Sequence, residues 1–263
     1  MWGVVQMKLT IGMAAYEDMD GVYFTVQSLR AYHDLKDCEI VVVDNKGSDN
    51  LFKWIKAWGD NTVRYCRFTD IQGTSAPRHH VFEEAKGEFI ICVDPHVLLL
   101  PGSLDKLWDG EDLIHGPMVY DNIRYCCVGM ENVWRDNMWG IWSDPIRITN
   151  LQPNQFEIWG HGLGLFGCRK DSWLGFNSNF RQFGGEEGYI HEKYRKAGRR
   201  VLCLPWLQWV HRFEDLRDNK SDYPKSIIHR VRNYLIGFDE LDLDKQPIVD
   251  HFGIQLVNKA NEK

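Results

Sequence analysis

The chemistry of this chain gathers where apolar runs stop. Phe89-Ile90-Ile91-Cys92-Val93, preceded by Lys86-Gly87-Glu88, ends at Asp94-Pro95-His96, and Val97 to Leu100 is apolar again. A β-branched run of that length reads as a buried strand of a parallel sheet. Pro95 has no N–H for a ladder, so the strand is expected to end at Asp94. A carboxylate and an imidazole two residues apart at a strand end are a place for a metal ion. One of each leaves coordination positions for diphosphate oxygens and water. Two more runs stop on polar residues, residues 8–14 before Ala15-Tyr16-Glu17 and residues 38–43 before Asp44-Asn45. In open parallel sheets, ligands bind beyond the carboxyl ends of the strands. Neither a Gly-x-Gly-x-x-Gly turn nor a Gly-Lys-Ser/Thr loop follows the first strand. That argues against a dinucleotide or Walker-type site, and makes a divalent cation the natural carrier of a ligand's phosphates.

The elements that must position these residues alternate. Apolar spacing predicts a helix over residues 22–33 and, capped by Ser48, another to Trp58. A strand over 62–67 follows, then a helix capped by Thr74 or Ser75 and running to Lys86, where Gly87 stops it. Strand-helix alternation over some ninety residues means a parallel sheet with right-handed crossovers. The second half has short strands at 113–120, 124–130, 163–168, 201–204 and 208–211. A long loop is expected over 137–157, one helical turn at 169–173, a loop over 176–185 and a helix over 186–197 closed by Gly198. A basic amphipathic helix over 224–236, with Pro224 early in it, ends the pattern. The fold class is therefore α/β: a mostly parallel sheet flanked by helices, with a short antiparallel second half.

Composition narrows the function classes. The formal net charge of −6 gives no global attraction to nucleic acid or anionic membrane. Seven cysteines (38, 66, 92, 126, 127, 168, 203) form no Cys-x-x-Cys. Several fall inside strands as small apolar residues, which favours a reducing compartment. No apolar run approaches the length of a membrane span, and no basic-then-apolar leader opens the sequence. A soluble, cytoplasmic protein is expected.

The order of motifs resembles a known family. Ala14-Ala15-Tyr16-Glu17, Glu39 through Asp44-Asn45, Ser75-Ala76-Pro77-Arg78, and Lys86-Gly87-Glu88 leading to Asp94-x-His96 resemble the nucleotide-binding half of family 2-like glycosyltransferases. The Asp-x-His form is similar to that of polypeptide N-acetylgalactosaminyltransferases. In the second half, Gly162 through Asp171, Phe183-Gly184-Gly185-Glu186-Glu187 and Val210-His211-Arg212-Phe213 resemble that family's acceptor-side strand, acidic turn and closing histidine. The resemblance runs from about residue 8 to 214, in the family's order. It implies the GT-A fold, a Rossmann-like α/β arrangement. Residues 1–223 would be one transferase domain, with a nucleotide-binding half (8–110) and an acceptor half (111–223), and 224–263 a helical extension packed on it.

The resemblance also implies roles. Asp94, His96 and His211 would ligate Mn2+ (or Mg2+), and Asp44 would hydrogen-bond the base. Ala15, Tyr16, Glu17 and Asn45 would line the nucleoside pocket, with Arg78 nearby. Glu186 and Glu187 would face the acceptor, and Glu187 would be the base if the reaction inverts. The donor would be a nucleoside diphosphate sugar, most simply a uridine one, in a hexosyltransferase-type reaction. The acceptor could be a glycan, a protein, a small molecule or a modified DNA base. Glu187 departs from the commoner Asp or Asn, and His161 is an unusual neighbour for Gly162. Trp139, Trp142 and Trp159 could form a stacking wall, and Lys225, Arg230 or Arg232 could meet phosphate. The basic run His191, Lys193, Arg195, Lys196, Arg199, Arg200 reads as a solvated face. A nucleotidyltransferase of related fold and an inactive nucleotide-sugar-binding module are the competing readings. The acidic turn after strand one argues against the first, and retention of three ligand-type residues argues against the second.

Overall fold

The computed structural model describes residues 8–58, 61–212 and 225–262. Four parallel strands build the first half: β1 (Leu9–Ala15), β2 (Cys38–Asp44), β3 (Val63–Arg67) and β4 (Phe89–Val93). Between them run helices α1 (Met19–Tyr32), α2 (Asp49–Ala57) and α3 (Ser75–Glu84). The register pairs Ala15 with Asp44 and Met13 with Val93, which brings Ala15, Asp44 and Asp94 to one edge of the sheet. Side-chain alternation splits the core. Ile40 and Val42 join Val22, Val26, Leu29, Leu51 and Ile55 on one face. Val41 and Val43 join Val81 and Phe82 on the other.

Two of the expected caps behave differently. Ser48 accepts from the Leu51 N–H and caps α2. Thr74 makes no cap hydrogen bond to α3, because its hydroxyl turns to Gln182 and Glu186 instead.

The second half adds antiparallel strands to the same sheet and builds another. After β5 (Val97–Leu99) come β6 (Leu113–His115), β7 (Met118–Val119), β8 (Tyr125–Cys127), β9 (Met130–Arg135), β10 (Met138–Trp142), β11 (Ile146–Arg147), β12 (Phe156–Glu157) and β13 (Leu165–Arg169). Helix α4 (Glu186–Lys196), β14 (Val201–Cys203) and β15 (Trp209–His211) follow. The eight-stranded sheet has the order β12-β14-β6-β13-β4-β1-β2-β3, and a five-stranded one runs β11-β8-β7-β15-β5. The expected single strand over 113–120 is two strands in different sheets, broken at Gly116-Pro117. The expected loop over 137–157 also needs correction. Met138 to Trp142 pairs with β9 as a hairpin, and β11 and β12 are short edge strands. Trp, Asn and Pro content suggested a loop there, but cross-strand Trp134–Trp139 packing overrides it, with ring centroids 5.7 Å apart.

The chain closes with α5 (Ile227–Glu240), α6 (Gln246–Phe252) and α7 (Ile254–Asn261). Pro224 and Phe213 lie outside the described residues. Val231, Tyr234, Leu235 and Phe238 of α5 pack with Ile248, Val257, Ala260 and Trp139 in a third core cluster, so this extension sits on the second half. Among the described residues, no helix is long and apolar enough to cross a membrane. All seven cysteines are free, five of them buried.

Candidate active site

Beyond the carboxyl edge of β1, β2 and β4 opens a cavity of about 450 Å3. Ala14, Ala15, Tyr16, Asn45, Gly73 and Thr74 of the first half line it together with Met130, Met138, Trp142, Leu163, Phe183 and Glu187 of the second. Asp94, His96, His211 and Arg78 share the same lining. The strand ends singled out in the sequence therefore converge.

Topology gathers the three candidate ligands. β4 delivers Asp94, and its N–H donates to the Gly164 carbonyl (2.9 Å). The Asp94-Pro95-His96 turn passes straight into β5, and β15 pairs antiparallel with β5 so that His211 lies opposite Val97. The Arg212 N–H then donates to the His96 carbonyl (3.1 Å). A residue more than a hundred positions downstream is thus fixed beside His96 by strand register. The two imidazoles stand edge to face, centroids 4.8 Å apart. Asp94 Oδ2 is 3.5 Å from His211 Nε2 and 4.0 Å from His96 Nε2, and one atom from each residue falls within 4.8 Å of the others.

Supporting residues hold this geometry. Thr25 of α1 is buried; its hydroxyl lies 2.8 Å from both the Pro95 and Val97 carbonyls and accepts from the Val97 N–H. Asp18 uses one oxygen to cap α1 at the Gly21 N–H and places the other 2.7 Å from His96 Nδ1. A carboxylate on Nδ1 fixes the tautomer that leaves the Nε2 lone pair facing Asp94, as in carboxylate–histidine–metal units. Gly164 backs His211 so closely that a Cβ would lie 3.1 Å from its Cδ2. Asp18 and Thr25 could not be picked out in the sequence: each sits at least seventy residues from its partner, one at the N-cap and the other in the middle of an ordinary helix.

Arg78 bridges the two halves. Its guanidinium donates to Asp94 Oδ1 (2.7 Å) and to Glu186 Oε1 (3.5 Å). Burial opposes its charge, but Asp94 and Glu186 hold its pKa above the ordinary arginine range. Burial likewise opposes ionisation of Asp94, yet Arg78 and the two imidazoles keep its carboxyl well below the usual carboxylate range.

Glu186 and Glu187 have different environments. Gly184 and Gly185 adopt left-handed backbone (φ 98° and 95°), which only glycine takes without strain, to turn the chain into α4. Glu186 is fully buried and bound to Thr74 and Arg78, and does not line the cavity. The expectation that both face the acceptor is corrected: Glu187 alone reaches the cavity. Burial, then the charge of Glu186, pushes the Glu187 carboxyl up to about 8. Asn233 of α5 clamps this turn, donating to the Arg181 and Gly184 carbonyls (2.9 and 2.8 Å) and accepting from the Arg181 N–H (3.0 Å).

Other expectations move. Asp44 is fully buried and outside the cavity lining. Its oxygens accept from the N–H groups of Lys46, Gly47 and Ser48 and from the Tyr65 hydroxyl, which occupies the capacity a base would need. It shapes the β2–α2 turn, and Asn45 takes the cavity position. Asn45 itself donates to the Phe68 and Ile71 carbonyls and accepts from the Gly73 N–H, fixing the loop that presents Gly73 and Thr74. Glu17 is not part of the cavity lining and pairs with Lys46 (3.4 Å), whose ammonium also sits 5.1 Å from the Tyr16 ring centroid.

Of the proposed stacking tryptophans, Trp142 lines the cavity, whereas Trp139 and Trp159 pack into the third core cluster. Lys225 lines the cavity; Arg230 spans Phe183 and the Asn137 carbonyl, and Arg232 does not reach the lining. The basic run is a solvated face only in part: Lys196 and Arg200 are exposed, but most of its members have partners. Lys193 pairs with Glu240, Arg195 bonds the Trp159 carbonyl, Arg200 pairs with Asp112, and His191 is fully buried. His191 joins His115 and His161 in a buried cluster behind Trp142, with Nε2 of His191 and His115 2.9 Å apart. Burial lowers all three histidines' pKa values, His161 to about 4.

Comparisons with known proteins agree with this architecture. The family model described as Glycosyl transferase family 2 matches residues 10–172, more than half the chain. No curated protein sequence matches it. Among solved structures, GalNAc-T7 with UDP, GalNAc and Mn2+ aligns at TM-score 0.68 and 16% identity, over 89% of this chain and 48% of that one. The mannosyltransferase PcManGT from Pyrobaculum calidifontis, in complex with GDP-Man and Mn2+, aligns at TM-score 0.55 and 13% identity, over 97% of this chain and 73% of that one. TarS 1-349 from S. aureus, in complex with UDP-GlcNAc, aligns at 0.56 and 15%, over 97% and 73%. The chain spans about half the length of GalNAc-T7. At these identities the likeness shows a shared fold, the GT-A arrangement of a mixed sheet flanked by helices.

Proposed function

This chain belongs to glycosyl transferase family 2, and from that premise we propose that it transfers a sugar from a nucleoside diphosphate sugar to an acceptor hydroxyl. The observation that carries the proposal is the convergence of Asp94, His96 and His211 on one cavity at the carboxyl ends of the parallel strands. A uridine donor is the first choice, supported by the UDP and UDP-GlcNAc complexes of two structural neighbours. The GDP-Man complex of a third supplies the competing nucleotide.

The donor set suits a divalent cation. Asp94 Oδ2, His96 Nε2 and His211 Nε2 supply one negative oxygen and two imidazoles, with the His96 tautomer set by Asp18. These three residues would hold Mn2+, or Mg2+. When bound, such an ion neutralises the diphosphate leaving group as the glycosidic bond breaks.

The chain's own residues do the rest. Tyr16 offers a ring to the nucleoside, and Ala15 and Gly73 let it approach closely. Arg78 fixes Asp94 Oδ1 so that Oδ2 faces the imidazoles. Lys225 stands at the cavity as a cation for phosphate. Trp142, Met130, Met138 and Leu163 form an apolar wall for the acceptor side. Glu187 is the group placed to take the acceptor's proton, and a carboxyl pushed up to about 8 is suited to general-base work near neutral pH. Glu186 acts through Arg78 as a positioning residue.

In this reading the described residues of 8–110 build the donor side and those of 111–212 the acceptor side, and α5 secures the Glu186-Glu187 turn through Asn233. Seven free thiols support a reducing, cytoplasmic setting. The test is incubation with Mn2+ and a panel of nucleotide-sugars, measuring released nucleoside diphosphate. Release that depends on the cation and is lost in Asp94→Asn supports the proposal. No release and no cation-dependent nucleotide binding with any donor would refute it. A mass-spectrometric screen of glycan, protein, small-molecule and modified-base acceptors then identifies the acceptor class.

A further inference from the structure

Among the described residues, a second group also places three potential ligand atoms within 4.8 Å of one another: Cys66, His80 and Glu84. It lies where β3, the outermost strand of the large sheet, meets α3. We propose that Cys66, His80 and Glu84 form a second metal site, suited to zinc and separate from the Asp94–His96–His211 cluster.

Four observations carry this. First, the spacing fits. Cys66 Sγ and His80 Nε2 are 3.3 Å apart, and Nε2 is 4.0 Å from Glu84 Oε1. Bonds of about 2.3 Å to sulfur and about 2.0 Å to nitrogen in a tetrahedral zinc site put those two atoms roughly 3.5 Å apart.

Second, the tautomer is set. Glu83 Oε2 lies 2.7 Å from His80 Nδ1, so that nitrogen carries the proton and Nε2 presents its lone pair to Cys66. A carboxylate behind a ligating histidine is the usual outer support of a metal site.

Third, Glu84 is divided between two tasks. Arg64 holds Oε2, and Oε1 remains on the His80 side.

Fourth, the His80 ring is held in place by stacking on Phe68, with centroids 4.5 Å apart.

The donor chemistry selects the ion. A thiolate with an imidazole favours zinc over magnesium or manganese, which prefer oxygen ligands. Thiolate and carboxylate balance a dication, and the site's partial exposure leaves a fourth position for water. On binding, the sulfur–hydrogen bond is replaced by a sulfur–metal bond and the proton leaves to solvent; nothing is oxidised or reduced. Such a site would staple the sheet's outer strand to α3. That helix also carries Arg78, so the staple would steady the support behind Asp94.

The experiment uses the full chain stripped of metal. Cobalt(II) is titrated as a spectroscopic substitute for zinc, and thiolate-to-cobalt charge-transfer absorption is followed. The absorption is expected in the wild type, lost in Cys66→Ala and retained in Asp94→Asn. Glu83→Ala, which leaves all three ligands in place and removes the support on Nδ1 together with a longer contact to His79, is expected to weaken zinc binding roughly tenfold. A second measurement needs no variant: zinc should protect Cys66 from iodoacetamide, read by mass spectrometry of its peptide. Absence of the charge-transfer band at saturating cobalt, its survival in Cys66→Ala, or Cys66 alkylation indifferent to zinc would each overturn the proposal.

Discussion

Replacing Asn233 by alanine tests whether α5 controls the acidic turn. Asn233 is 1% exposed and makes three hydrogen bonds to that turn, two to carbonyls and one from an N–H. At about 1 kcal/mol net for each, Asn233→Ala is expected to cost roughly 3 kcal/mol. The Gly184 carbonyl it leaves behind is buried, and the Arg181 groups are partly so. For a chain of this size, about 2–4 °C per kcal/mol makes the expected fall in melting temperature roughly 6–12 °C. Calorimetry measures it, and transfer rate measured well below the melting range reports the second effect. Freed from its clamp, the Gly184-Gly185 turn should no longer fix Glu187, so kcat should fall while nucleotide affinity stays. A melting temperature within about 2 °C of wild type would refute the energetic reasoning. A large fall with unchanged kcat would refute the link from α5 to Glu187.

The remaining predictions concern the cavity and the buried histidines. Asp18→Asn leaves all three candidate ligands in place but weakens the support on His96, and should lower Mn2+ affinity about tenfold to a hundredfold by titration calorimetry. If Glu187 removes the acceptor's proton, kcat/KM should rise with pH through about 8, and Glu187→Gln should abolish that limb. The same raised pKa favours the protonated form in the fold. It contributes stability below the unfolded value near 4.5 that is lost as pH rises toward about 8, so Glu187→Gln should melt higher than wild type at pH 8. The lowered pKa values of His115, His161 and His191 act in the opposite sense. The fold prefers them neutral, so stability should drop as pH falls from about 6.5 toward about 4, and His161→Asn should flatten that slope in urea melts.

How much of this was legible follows from what sequence patterns encode. The four parallel strands and their helices were readable because each is a local periodicity bounded by a cap or a breaker, and β4 stops at Val93, one residue before the Asp94 end expected from Pro95. Element type failed in residues 137–157, where composition suggested a loop and tryptophan packing across β9 and β10 made a hairpin. Asp94 and His96 were conspicuous because they interrupt an apolar run, and His211 entered only through the family resemblance.

What tertiary structure alone decided are the pairings at long separation. The register of β15 on β5 puts His211 beside His96, and Asp18 and Thr25 reach back from α1 to the turn before β5. Asn233 clamps a turn nearly fifty residues upstream, and Arg78 joins Asp94 to Glu186. The structure also separates look-alikes: Asp44 is consumed by its own turn while Asn45 reaches the cavity, and Glu186 is buried while Glu187 faces it. Composition and periodicity specify which face of an element is apolar. Which polar atom meets which depends on strand register and helix packing, and these are fixed only when the whole core closes.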